Sequence, residues 1–277
     1  MGHWSLTGGT DEAEKGHTMD LTMALAHMTR ELGASLVGVA PVERFDGAPP
    51  AHHPAELLPG AKAVMTFGIR ILDRVMEWPE LLKGSPFYPE PKRAEALRVC
   101  LYEKSGYEII NDHLNTIALR VATHLEEAGF PSLFFPTTNT GVPEEYARVP
   151  AVFSQRHAAV RAGLGEFGLN NVVVTAKYGP RIRWNSVITA APLTPSPLLT
   201  AKTCDGLACM QCVEQCPDRA LGTLPEAQEH RIWLNPPART DWTICRRSRS
   251  VTDCMGRCLR VCPAGRSPKG GPSGQST

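Results

Sequence analysis

Apolar residues recur at three- and four-residue spacing over Leu21, Leu25, Met28 and Leu32. That is one face of an amphipathic helix, and Gly33 is a good stop for it. Two largely apolar runs follow, Ser35–Ala40 and Ala63–Ile69, and each reads as a buried strand. The Pro- and Ala-rich stretch Glu43–Pro59 between them reads as loop. Its His52 and His53 have no third ligand in sight and read as surface residues. After a breaker at Tyr88–Pro91 comes a long helical pattern, about Ala94–Gly129, with Leu114, Ile117, Ala118, Val121 and Leu125 on one stripe and Gly106 as a candidate break. Ser132–Phe135 reads as a strand, Pro136–Pro143 as a polar loop and Phe153–Ala162 as a helix. Strands at Asn171–Thr175 and Arg181–Thr189 are joined by a Lys-Tyr-Gly-Pro turn. Helices and strands mix without strict β-α-β alternation, so the expected class is α+β. Residues 1–18 and 264–277 are polar or rich in Gly, Pro and Ser, and are expected to be a disordered leader and tail.

With 277 residues, 42% of them hydrophobic, the chain can build one large domain or two smaller ones. A net charge of +1 excludes a polyanion binder driven by overall charge. No run of 18 apolar residues exists, and the start has neither an Arg-Arg pair nor an apolar signal core. A soluble, cytoplasmic protein that does not engage a membrane is expected.

Eight of the nine cysteines lie between Cys204 and Cys262. The first run places Cys204, Cys209, Cys212 and Cys216 before Pro217; the second places Cys245, Cys254, Cys258 and Cys262 before Pro263. Both close in Cys-x3-Cys-Pro, as the bacterial ferredoxin motif does, where the last Cys ligates the other cluster. On that pattern Cys204, Cys209, Cys212 and Cys262 hold one [4Fe–4S] cluster, and Cys216, Cys245, Cys254 and Cys258 hold the other. The x4 gap after Cys204 and the x3 gap after Cys254 depart from the motif's x2, and a loop absorbs such residues by bulging. Zinc sites also use Cys-x2-Cys pairs but rarely carry the trailing Cys-Pro, and disulfides need an oxidising compartment. Cys100, beside Leu97 and Leu101 in the helical pattern, reads as a buried small hydrophobe. Arg231, Arg239, Arg246, Arg247, Arg249, Arg257 and Arg260 make the cysteine region basic. Because they interleave with the ligands, they read as offsetting cluster charge, with tRNA or an acidic electron donor as the other candidates for the patch.

Gly163, Gly165 and Gly168 spell G-x-G-x-x-G, yet a helix precedes them and a strand follows, the reverse of a dinucleotide-binding turn. The glycines instead suit a tight turn, or the close approach of a flat cofactor.

Arg156-His157-Ala-Ala-Val-Arg161-Ala-Gly163-Leu-Gly165, with Asn170 and Asn171, Val187–Leu193, Leu57–Val64 and the two cysteine runs, resembles the epoxyqueuosine reductases over about Leu21–Pro263. The reductive dehalogenases are related to them. The resemblance implies a degenerate nitroreductase-like corrinoid-binding domain over residues 19–197. A bacterial-ferredoxin-like domain with two [4Fe–4S] clusters would cover 198–263. It implies cobalamin bound base-off, and a reductase fed by a low-potential donor such as ferredoxin or flavodoxin, acting on a small molecule or tRNA. A two-cluster carrier with no substrate of its own, or a tRNA-modifying reductase working with a partner, is the alternative. Three features depart from the group. The position of its catalytic Asp falls near Val149; no helical-repeat extension follows the clusters; and there is no twin-arginine leader. By position Tyr146 and His157 are the candidate proton donors. Arg161, Arg181 and Arg183 are candidate corrinoid or anion contacts, with Gly163, Gly165 and Gly168 as the turn beside the cofactor. Arg181 and Arg183 alternate on a strand and so share a face. Each of these also has a purely structural reading: a part-buried Tyr, an interior His, a salt-bridged strand face.

Overall fold

The computed structural model describes residues 20–82, 90–137, 151–229, 231–245, 254 and 256–266. Its strands are β1 (Leu36–Pro41), β2 (Ala63–Arg70), β3 (Ser132–Phe134), β4 (Glu166–Phe167), β5 (Val173–Val174), β6 (Ile182–Thr189), β7 (Leu221–Thr223) and β8 (Ala238–Thr240). Four of them form a sheet in the order β1-β2-β6-β3, with every neighbouring pair antiparallel. β4 pairs with β5 and β7 with β8 as separate two-stranded ribbons. The class is α+β, as the mixed pattern implies.

β2 is buried along Ala63–Gly68 because both faces of the sheet are covered. Successive side chains of a strand point to opposite faces. Ala63, Met65 and Phe67 therefore join Leu114, Ile117 and Val121 of the Ile109–Glu127 helix in one core, with Leu25 of the Leu21–Glu31 helix. Val64 and Ile188 pack on the other side against Ala158 and Ala162, at and just beyond the Gln155–Arg161 helix. Trp184 fills the space over Gly68, where a Cβ would come within 2.6 Å of the indole. The Leu21–Glu31 helix ends at Gly33, whose φ of +103° is cheap only for glycine.

The long helical stretch is not one α-helix. Glu90–Leu97 is α-helical, Arg98–Glu108 is π-helical and Ile109–Glu127 is α-helical again. Gly106 is no break: it is buried within the π segment, where an added Cβ would meet Val75 at 3.0 Å. The wider turn also overturns the expectation for Cys100. Leu97 and Leu101 pack on the core, whereas Cys100 rotates outward and is exposed. No helix among the described residues is long and apolar enough to cross a membrane.

Candidate metal centre

Each cysteine run uses the same local device. A left-handed residue, Met210 (φ 51°) in the first run and Gly256 (φ 70°) in the second, stands directly before a one-turn helix. Those helices, Gln211–Glu214 and Arg257–Arg260, carry Cys212 and Cys258. The reversal bends the backbone so that thiols before and after the turn face a common space.

Cys204, Cys209, Cys212 and Cys262 line one cavity of about 200 Å³, together with Leu169 and Val174. Three of these come from the first run and one from the end of the second. Burial pushes the Cys212 thiol up to about 12, and the nearby Cys204, Cys262 and Cys209 push the same way. Burial likewise lifts Cys262 to about 11, against the opposing Ala264 N–H. Cys204 is raised by burial and eased by the N–H groups of Leu169 and Gly206. Cys258 is raised by burial and by Cys254, Cys212, Cys245 and Cys216. Its neighbours therefore include the other three thiols of the second set, and Cys212 links the two sets. The Ala220 N–H donates to Cys216 Sγ at 3.2 Å.

Among the described residues no three His, Cys, Asp or Glu side chains converge tightly enough for one metal ion. A single zinc, with Zn–S near 2.3 Å, would draw its thiolates to within about 4 Å of one another. A ring of thiols around a cavity suits a polynuclear group, whose ligands bind separate metal atoms. The apolar lining and the inward N–H donors complete that fit.

The G-x-G-x-x-G stretch is what holds this ring in place. Glu166 has no exposed surface. Its carboxylate accepts the N–H groups of Thr203, Cys204 (2.8 Å) and Trp233 (3.1 Å), and Lys202 Nζ lies 3.5 Å away. Asn170 Nδ2 donates to the Cys258 carbonyl at 3.4 Å, and Asn171 Nδ2 to Thr240 Oγ1 at 3.1 Å. Gly163 (φ +73°) is pressed against the Pro197 carbonyl, and Gly165 against Val174. A Cβ on Gly168 would sit 2.6 Å from Val174 and 3.6 Å from Cys204 Sγ. On the side where a Cβ would project, each of these three glycines already meets the chain itself, and Gly163 alone of them takes the left-handed turn. Glu166 was missed from the sequence, where a lone acid among glycines looks like a solvated turn.

The arginines are committed to the chain as well. Arg181 is 2% exposed. It donates to the carbonyls of Leu259 (3.3 Å), Cys262 (3.1 Å) and Ala264 (2.7 Å), binding the second run to the start of β6. Arg183, on the same face, donates to Asn111 Oδ1 and lies 3.8 Å over the Tyr107 ring. Arg161 donates to the Leu234 carbonyl (2.9 Å) and Asn235 Oδ1 (3.0 Å). Arg181 lines a cavity with Arg70 and Tyr178, whereas Arg161 lines another with Phe45 and Phe153. Tyr146 and Val149, like Arg246, Arg247 and Arg249, lie outside the described residues.

His157 lines a second cavity, of about 480 Å³, with Arg161, Phe45 and Phe153. Its ring packs 4.8 Å from Phe167. Ser154 Oγ accepts the His157 backbone N–H and lies 2.7 Å from Nδ1. Burial, then Arg161 and Arg156, lowers its pKa to about 4. The ring is thus neutral at pH 7. Between its ordinary value of 6.5 and about 4, the unfolded chain binds a proton that the folded chain refuses. Stability therefore falls as pH drops through that window and is unaffected by this group above it. From pH 7 to 5 the wild type should lose about 2 kcal/mol more stability than His157→Gln. Urea unfolding at the two pH values measures the difference, and equal losses would show that the ring titrates normally.

No protein-family model matches the chain. A tetrachloroethene reductive dehalogenase of Desulfitobacterium hafniense is 29% identical over 223 residues, covering 71% of this chain and 38% of that protein. An epoxyqueuosine reductase of Bacillus cereus is 24% identical over 169 residues, covering 61% and 38%. The chain spans 22% to 38% of the length of the curated relatives it matches. Among solved structures, a reductive dehalogenase described for B12-dependent dehalogenation matches with a TM-score of 0.57 at 18% identity, over 92% of this chain and 34% of that one. Epoxyqueuosine reductase in complex with a modified tRNA-Tyr stem loop matches with a TM-score of 0.56 at 17% identity, over 87% and 64%. In sequence the chain is thus similar to both the reductive dehalogenases and the epoxyqueuosine reductases, and it shares their fold.

Proposed function

We propose that this chain is an iron–sulfur oxidoreductase that passes low-potential electrons through two [4Fe–4S] clusters to a base-off corrinoid, which serves reduction of a substrate. The observation that carries the reading is the crosswise gathering of thiols: Cys262 of the second run shares a cavity with Cys204, Cys209 and Cys212 of the first. Cys216, Cys245, Cys254 and Cys258 would hold the other cluster. When bound, such clusters supply one-electron relay at potentials between about −700 and +450 mV. The chain's part is to exclude water with Leu169 and Val174 and to supply N–H donors to sulfur, which raise the potential. The sheet body, residues 19–197, would then be the nitroreductase-like part and residues 198–263 the ferredoxin-like part.

The corrinoid rests on the relatives, one of whose structures concerns B12-dependent chemistry. The residues expected to hold it are the weaker side of the reading, because Arg181, Arg183 and the three glycines are engaged within the chain. That observation favours a second reading, a two-cluster electron carrier with no substrate of its own. A tRNA substrate is suggested by the stem loop bound to one similar reductase.

Anaerobic purification and reconstitution with iron, sulfide and cobalamin separates these. About eight iron and one cobalt per chain is the expected result. About eight iron with no cobalt leaves the carrier reading. A colourless, zinc-loaded protein sinks both. A tRNA gel shift that weakens as salt rises would direct the reductase to RNA.

A further inference from the structure

Where the sheet body meets the two cysteine runs, a groove of about 1110 Å³ opens to solvent. Gln211 and Gln215 line it from the first run, on either side of Cys212 and next to Cys216. Arg257 and Arg260 line it from the second, on either side of Cys258. The helices that carry thiols of both sets thus share one opening, and all eight cysteines of the two runs are only part-buried. Electron transfer weakens steeply with distance, so a redox partner seated here would approach both sets at once.

The charges around the opening are unequal. Across from the arginines stand Asp73, Glu77 and Glu80, with Arg74. Asp73 is already 3.8 Å from Arg181 and 3.9 Å from Arg70, and Glu77 accepts from Arg74 at 2.9 Å. Arg266 joins Arg257 and Arg260 on the cationic wall, and Arg260 Nη1 is buried without a hydrogen-bond partner. Glu80 faces Arg260, so four arginines meet three carboxylates and the surplus positive charge falls to Arg257 and Arg266.

We infer that this groove is the docking surface for an acidic one-electron carrier protein. The inference rests on the two-cluster reading above and names the partner that reading requires. What favours a redox protein over a nucleic acid is that the thiol-bearing helices of both runs share this one opening, which serves electron delivery and not the holding of a phosphate backbone. In the transfer no atom moves: the carrier is oxidised by one electron and this chain's cluster is reduced by one.

The test follows cluster reduction in the reconstituted full chain by stopped flow, with reduced flavodoxin and reduced plant-type ferredoxin as acidic carriers and dithionite as a small donor. The variant is Arg74→Glu with Arg266→Glu, both outside the thiol ring. Its rate with the acidic carriers should fall at least about tenfold at low salt, with dithionite reduction and iron content unchanged. The wild-type rate with the carriers should fall steeply as salt rises. Arg74→Glu alone, at a side chain 86% exposed, makes the same comparison if the double variant loses iron. Equal carrier rates in variant and wild type overturn the docking surface. So does a wild type reduced by dithionite and by neither carrier, or a tRNA gel shift lost in the variant while carrier rates stand. A wild type that takes up no iron overturns the cluster reading itself, before any rate is measured.

Discussion

Cys262→Ser is expected to cost the chain the same cluster as Cys204→Ser, Cys209→Ser or Cys212→Ser, although Cys262 belongs to the other run. Iron should fall from about eight to about four per chain, and electron delivery should be abolished. The reason is positional. Cys262 lines the cavity with those three thiols, and its thiol is influenced by Cys204 and Cys209. Cys216→Ser should do the converse, removing the cluster that Cys258→Ser removes, because Cys216 is among the thiols that act on Cys258. Serine is a poor ligand for iron, and a cube with three thiolates is exposed at its fourth corner. Two separable electron-paramagnetic signals in the reduced wild type would give the readout. A Cys262→Ser protein that keeps the signal lost in Cys212→Ser, and loses the one lost in Cys258→Ser, would show that each run fills its own site.

Glu166→Ala should be the most damaging substitution outside the cysteines. The carboxylate is fully buried and accepts three backbone N–H groups at the point where the first run begins. It also faces Lys202, whose side chain is 15% exposed, sits 3.3 Å over the Trp233 ring and donates to the Arg231 carbonyl at 2.6 Å. Alanine leaves a part-buried ammonium and three N–H donors without their acceptor. The cost is about 3–5 kcal/mol, or a fall in Tm on the order of 10 °C for a chain of this size. The displaced Thr203–Cys204 segment should lose iron as well. Glu166→Gln keeps the volume and one acceptor oxygen but turns an NH2 toward N–H donors, so about half the loss is expected. Thermal melts of the iron-loaded proteins, with iron counted before and after, decide it. A Glu166→Ala protein melting within about 2 °C of wild type would show that water replaces the carboxylate.

The elements that sequence pattern places well are those whose neighbours in sequence carry the signal. The strands expected at Ser35–Ala40 and Ala63–Ile69 appear at Leu36–Pro41 and Ala63–Arg70, because an apolar run between breakers has few other uses. The helix before the glycines and the strand after them are also in place. The π-helical stretch Arg98–Glu108 has no such signature; a wider turn leaves composition unchanged and merely shifts which side chains face inward, which is how Cys100 reaches solvent. At the site, a Cys-Pro after a three-residue gap is a local rule with a non-local consequence, and it set Cys262 with Cys204, Cys209 and Cys212, which do line one cavity. Glu166 and Arg181 were not readable as what they are. Strand alternation does put Arg181 and Arg183 on one face, but their partners, the carbonyls beyond Leu259 and the side chain of Asn111, come from distant parts of the chain. Only the folded path brings them together.

Arg181 holds the end of the second run by main-chain oxygens alone, those of Leu259, Cys262 and Ala264. Such a clasp does not care which side chains the strap carries. What it does demand is the strap's path, and Gly265, at φ +64° with no room for a Cβ beside Gly179, is the residue that keeps it.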